Sequence, residues 1–190
     1  MLCRESGYLG VAVLGDSASA HFEIPEAYLD PYQIDEHTYD ELLYVLADEF
    51  DRPYMGGYTG FEESATITPV HSFYKKIRER NHCNHRDYQN VGVNGARTSS
   101  MQSEIVYTLA RNQTLDNPLL LFFSLIGNDV CSGHHDFNEM TTVPNFEKNV
   151  LETLNYLDTI LPNGSHIVFF GLANGEVLYT TLANRLDIQI

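Results

Sequence analysis

At 190 residues, with 26 acidic against 11 basic side chains and a formal charge of −15, the chain has the size of one α/β domain, about 100–200 residues. Its 43% hydrophobic and 12% aromatic content excludes a disordered polymer, and no apolar run approaches the roughly 20 residues needed to span a bilayer. The charge argues against nucleic acid, whose phosphates are bound when Lys and Arg displace counterions.

The first predicted element is a buried strand, Val11-Ala12-Val13-Leu14, a short β-branched run closed by Gly15. Cutting the chain after Ser64 leaves 14 of the 26 acids but only 2 of the 11 bases before the cut. Most of these acids fall in residues 23–51, where Tyr and Leu interleave with carboxylates, so a solvated helical face over a buried one is expected; an acidic interaction surface is the sharper alternative. Within it, residues 38–50 place Leu42, Leu43, Leu46 and Phe50 at helical spacing. Residues 51–68, rich in Gly, Tyr and Thr, carry no clean period and read as a long surface loop. Lys75, Lys76, Arg78, Arg80 and Arg86 form the one basic cluster. It reads either as a solvated helix face or as a contact for anionic head-group phosphates.

Residues 98–111 are a second helical pattern, with Met101, Ile105, Tyr107, Leu109 and Ala110 on its apolar side. A strand follows at Leu119–Ile126, ending at Gly127. The clearest helix is residues 144–161, with Phe146, Val150, Leu151, Leu154, Leu157 and Ile160 in one stripe, Pro144 in the first turn and Pro162 after the last. A third strand, His166–Phe170, stops at Gly171. Continuous apolar runs rather than alternation predict strands covered on both faces, and their alternation with helices predicts βαβ units in a doubly wound parallel sheet.

In open α/β sheets ligands bind beyond the carboxyl ends of the strands. The segments there are Gly15-Asp16-Ser17, Gly127-Asn128-Asp129, Gly171-Leu172-Ala173 and the turn Asn90-Val91-Gly92-Val93-Asn94-Gly95. A serine just after a buried strand and at a helix start has free backbone N–H groups beside its hydroxyl, a setting for a nucleophile that generates an oxyanion. The bland reading is that Ser17 only caps a helix. Ser17 N–H, Gly95 N–H and the Asn128 side-chain amide together make a three-donor oxyanion hole.

The segments holding Ser17, Gly95 and Asn128, in this order, resemble blocks I, II and III of the SGNH (GDSL-type) hydrolases. Residues 13–22, 80–90, 126–133 and 161–166 are further similar to the catalytic large subunit of the acyloxyacyl hydrolase family, over essentially the whole chain. The resemblance implies a flavodoxin-like three-layer α/β/α sandwich with a parallel sheet, in one domain over residues 1–190, and a serine esterase needing no cofactor. The implied reaction removes the secondary acyl chains from the lipid A part of lipopolysaccharide. It implies catalytic roles for Ser17, Gly95 and Asn128, and a secreted, lysosomal or vesicular location, with which the sequons Asn112-Gln113-Thr114 and Asn163-Gly164-Ser165 agree. Another SGNH lipase or esterase, or a non-catalytic lipid-binding relative, is the alternative.

One part of the pattern departs. The family's base lies in a later Asp-x-x-His block, and no Asp-x-x-His occurs in Met1–Ile190; the domain is therefore expected to be truncated before that block and close to inactive alone. In the chain itself, His134 and His135 follow Asn128 at the correct edge, His21 points along its own helix, and His166 opens a strand at the wrong edge. His82 and His85 flank Cys83 like metal ligands, yet lack a fourth ligand. A Cys83–Cys131 disulfide is the better account of Cys83 and leaves Cys3 for another chain, and the family's two-subunit architecture implies a disulfide-linked small subunit.

Overall fold

The computed structural model describes residues 7–62, 69–131 and 139–182. Four parallel strands, β1 (Gly10–Gly15), β2 (Tyr88–Gly92), β3 (Leu119–Ser124) and β4 (His166–Phe169), form a sheet in the order β2-β1-β3-β4. The helices are α1 (Ser17–Ala20), α2 (Glu36–Asp48), α3 (Phe73–Arg80), α4 (Thr98–Ser103), α5 (Val143–Ile160) and α6 (Gly175–Leu182). The parallel α/β architecture is as the strand-glycine pattern predicts.

Side-chain alternation along β1 and β3 divides the core in two. Ala12, Leu14, Leu119, Leu121 and Phe123 point to one face, where Met101 of α4 and Leu157 of α5 cover them, with Val150, Leu154 and Ile160 of α5 packed alongside. Val11, Val13 and Phe122 point to the other face, beneath Tyr74 of α3. All six residues of β1 are buried, as a central strand between two helical layers must be.

Three expectations change. β4 is an edge strand, and Ile167, Val168 and Phe169 are exposed, so its apolar run does not mark burial on both faces. The 98–111 helix breaks after Ser103, where Glu104 (φ −140°) interrupts the helical backbone before a 3₁₀ turn over Ile105–Thr108; Met101, Ile105 and Leu109 are still buried, and Tyr107 is exposed. In α2 the anticipated apolar stripe is only partly turned inward, since Leu43 and Leu46 are exposed. The acids Glu36, Asp40, Asp48 and Glu49 are solvated, as a charged face should be.

Two elements carry no clear sequence signal. β2 has Tyr88, Gln89 and Asn90 where an apolar run would be expected, and its amides are satisfied individually: Gln89 donates to the Thr108 carbonyl and accepts from Ala110 N–H, while Asn90 donates to the Ser19 carbonyl and Thr59. Residues 51–62 are a packed segment rather than a loose surface loop. Thr59 is buried, the Tyr58 ring lies 4.9 Å from that of Phe122, and the Tyr58 and Ser124 hydroxyls share a 2.9 Å hydrogen bond. Residues 63–68 of the expected loop lie outside the described residues.

Candidate active site

The parallel register decides which loops meet. Gly15 pairs with Gly92 on one side and with Ser124 on the other, so the chain leaves β1, β2 and β3 at the same level of the same edge. Ser17, Gly95 and Asn128 follow within four residues of that row. Because the strand order reverses about β1, with β2 on one flank and β3 on the other, this edge is the topological switch point at which α/β folds bind ligands.

Two glycines let α1 sit directly on the strand ends. A Cβ added to Gly92 would lie 2.5 Å from the Ala20 nitrogen, and one added to Gly15 would lie 2.1 Å from the Ser19 hydroxyl oxygen and 2.9 Å from the Ser124 carbonyl. Any side chain at either position would push the nucleophile loop away from the sheet.

The cap of α1 is Asp16, not Ser17. The Asp16 carboxylate accepts the Ala18 N–H at 3.1 Å with one oxygen and the Ile126 N–H at 2.8 Å with the other, and the residue is 2% exposed. Capping is thus already supplied, and among the described residues the half-buried Ser17 hydroxyl has no hydrogen-bond partner. The reading of Ser17 as a mere cap fails on this point. α1 is a single turn whose Ala18, Ser19 and Ala20 N–H groups all donate to Asp16, so among the described residues Ser17 N–H is the one of its donors left to face a ligand, with no long helix dipole behind it.

The other two blocks are laced to the first and to each other. Val93 N–H donates to the Gly15 carbonyl at 3.0 Å, and Ala96 N–H closes the turn on Val93. Gly95 lies in that turn with φ +77°, a left-handed conformation that glycine adopts without strain. The Asn128 amide donates to the Ala96 carbonyl at 3.0 Å, which fixes the amide plane against the Gly95 turn and leaves a second N–H to donate elsewhere. Asp129, fully buried, accepts the Thr98 N–H at 3.0 Å and the Thr98 hydroxyl at 2.7 Å, so it anchors the start of α4. Sequence reasoning misses Asp129; its one signal is its place directly after Gly127-Asn128, where a carboxylate can reach the neighbouring helix N-terminus.

The histidines separate by edge. His166 pairs with Leu120, which pairs with Val11, four residues and roughly 13 Å from the Gly15 row at the rise of a strand. His82 and His85 precede β2 at that same far edge. His21 ends α1 in a left-handed conformation (φ 57°), its N–H donating to the Ser17 carbonyl. His134 and His135 lie outside the described residues.

The cysteines correct one expectation. Cys83 is disulfide-bonded and Cys131 is a free, exposed thiol, so the Cys83–Cys131 pair is not formed. The sulfur of Cys83 is thereby removed as a thiolate ligand for a metal at His82 and His85. Cys3 lies outside the described residues. Among the described residues no helix is long and apolar enough to cross a membrane.

Two residues past Asn128 the edge opens into a mostly apolar cavity of about 630 Å³, lined among the described residues by Val130, Cys131, Met140, Ala173 and Gly175, with Asn174 and Glu176 as its polar members. It lies beyond the carboxyl ends of β3 and β4, where Ala173 N–H donates to the Ile126 carbonyl at 2.7 Å. Its volume is that of a small-molecule site.

Residues 11–188 match the family model described as GDSL-like Lipase/Acylhydrolase. The chain is 41% identical over 184 residues to the acyloxyacyl hydrolase of Mus musculus, 42% over 185 residues to that of Oryctolagus cuniculus and 41% over 184 residues to that of Homo sapiens. Each match covers 96% of this chain and 32% of the relative, so the chain spans about a third of the length of these proteins. A strand end bearing a serine, a glycine turn and an Asn-Asp loop thus meet at one edge of a parallel α/β sheet in a sequence that the family model matches almost throughout: the chain belongs to the GDSL-like lipase/acylhydrolase family.

Proposed function

We propose that the chain carries the catalytic serine and oxyanion hole of an esterase that removes secondary, ester-linked fatty-acyl chains from the lipid A part of lipopolysaccharide. Ser17 attacks the acyl carbonyl carbon, forming a C–O bond as its hydroxyl proton passes to a base. The negative charge developing on the carbonyl oxygen is received by Ser17 N–H, Gly95 N–H and the free N–H of Asn128. Collapse of the tetrahedral intermediate breaks the ester C–O bond. The leaving alkoxide takes the proton back from the base and departs as the hydroxyl of the remaining lipid, and the acyl-serine left behind is hydrolysed by water. No cofactor enters these steps.

The observation that carries this reading is the Ser17 hydroxyl, left by Asp16 without a partner among the described residues, at an edge where Asn128 is already aimed by Ala96. The apolar cavity beside Asn128 is suited to the acyl chain, and the names of the relatives favour acyloxyacyl esters over other lipids. Asp16, with both oxygens occupied by backbone N–H groups, is a positioning residue and not the acid of a triad. The base is supplied by His134, His135 or a histidine of a longer polypeptide; without it the donors leave only a residual rate.

A fluorophosphonate probe tests the assignment. Ser17→Ala should abolish labelling and release of fatty acid from lipopolysaccharide while leaving the far-ultraviolet circular dichroism unchanged. Asn128→Ala should slow labelling about 10²–10³-fold, the usual effect of losing one oxyanion donor. Labelling of Ser17→Ala at the native rate would overturn the serine assignment, and a longer polypeptide that includes the histidine base yet stays inert to the probe would point to a lipid-binding relative.

A further inference from the structure

From the basic cluster and its surroundings we infer a second binding site, for a phosphorylated sugar, at the sheet edge opposite Ser17. A groove of about 630 Å³ lies there, with Arg78, His85 and Arg86 as its cationic side chains, Phe61 and Tyr88 as aromatic walls and buried Tyr74 as its floor. Glu62 is its one carboxylate among the described lining residues. In a chain of net charge −15, five of the eleven Lys and Arg residues fall between positions 75 and 86, against the single acid Glu79. Glu79 is itself neutralised by Lys76 at 3.0 Å, which holds its carboxyl below the usual range.

The segment that presents His85 and Arg86 is built, not merely exposed. Buried Asn81 donates to the Gly7 carbonyl and accepts from Cys83 N–H, buried Asn84 accepts from Leu9 N–H, and Cys83 is disulfide-bonded. Arg86 is held at φ 64° with its N–H donating to the Tyr74 hydroxyl at 2.8 Å. A long, exposed side chain in the left-handed region is unfavourable, and such strain persists where surrounding structure fixes it, commonly at functional sites. Glycine or asparagine would occupy this position with less strain; the arginine is what a phosphate needs, a planar fork of donors. Phe61 and Tyr88, with ring centroids 5.2 Å apart, offer apolar ring surface to the carbon face of a sugar. The length of β2 sets the groove roughly 13 Å or more from the Gly92 row, so its ligand does not touch Ser17; the choice of sugar rests on the proposed function, while binding of a probe without acyl chains tests the groove apart from the ester chemistry.

The test is calorimetric titration with a bisphosphorylated glucosamine disaccharide free of acyl chains, against the unphosphorylated disaccharide, inorganic phosphate and micellar lipid A. The bisphosphate should bind about tenfold or more tightly than either the unphosphorylated sugar or inorganic phosphate. Arg78→Gln and Arg86→Gly should each weaken it about tenfold or more, while Ser17→Ala and Lys76→Gln leave it unchanged. Arg86→Gly should melt at the native temperature or above, which separates lost recognition from lost folding. Tighter binding of lipid A than of the bare disaccharide would support the site and identify the ligand as a lipid head group, and equal binding would support it as a site for a soluble glycan. Native affinity in Arg86→Gly, or equal binding with and without phosphate, would overturn the site.

Discussion

Replacing Asp16 tests whether one carboxylate holds the nucleophile loop to the β3 loop. In Asp16→Ala the Ala18 N–H loses its cap, worth about 1 kcal/mol, and the Ile126 N–H loses a charge-assisted bond worth about 1.5–3 kcal/mol. Both donors are left beside a residue that is 2% exposed, so the expected loss is about 3 kcal/mol. With a urea slope of about 2 kcal/mol per molar, the unfolding midpoint should fall by about 1.5 M. Asp16→Asn is the more diagnostic change: it keeps the volume, but turns an NH₂ toward one of two N–H donors. About 2 kcal/mol and about 1 M in midpoint should be lost, together with slower probe labelling of Ser17. The chain contains no Trp, so circular dichroism is the suitable signal. An Asp16→Asn midpoint within about 0.2 M of native would refute the clamp.

Two glycines of the same edge should respond differently. Gly95→Ala meets no atom within 4 Å but keeps φ +77°, so it should cost only the left-handed penalty of about 1–2 kcal/mol; Gly92→Ala, meeting backbone of α1 at 2.5 Å, should cost more and shift the Ser17 loop, read as a larger fall in melting temperature and in labelling rate. At Asp51 burial, with Glu49 nearby, raises the carboxyl above its usual range, and its Oδ1 is buried without a partner. The folded state therefore binds the proton more readily than the unfolded state, and ionisation opposes folding as pH rises through that range. Asp51→Asn should raise the melting temperature at pH 7, with the gain vanishing below about pH 4, where the carboxyl is protonated in both states; a loss at pH 7 would contradict this.

Val11–Leu14 and Leu119–Phe123 read as buried runs because Tyr74 of α3 lies on one side and α4 and α5 on the other, whereas His166–Phe169 is legible from its apolar run alone although it is an exposed edge strand. β2 is not legible, since Gln89 and Asn90 are accommodated by particular partners, Thr108, Ala110, Ser19 and Thr59, which no periodicity encodes. The 98–111 pattern over-extends its helix because an apolar spacing continues through Leu109 although the backbone changes at Glu104. Ser17, Gly95 and Asn128 can be found because each closely follows a strand end. Asp129 escapes notice because its partner, Thr98, is 31 positions away. The pairing expected of Cys83 is wrong for a related reason: disulfide connectivity is not contained in spacing.

The two edges of the sheet present different ionisable groups. Around Ser17 the fold buries the carboxylates Asp16 and Asp129, whereas the far edge carries Arg78, His85 and Arg86. A buried carboxylate at the serine edge opposes a second negative charge forming on a carbonyl and favours a positive one forming on an imidazole. In the proposed mechanism the oxyanion donors have to outweigh these carboxylates, while a cationic base is helped by them. Under the proposed reading, an amphiphile with phosphates at one end would be drawn by that end toward Arg78, His85 and Arg86, which would leave its uncharged ester to face Ser17.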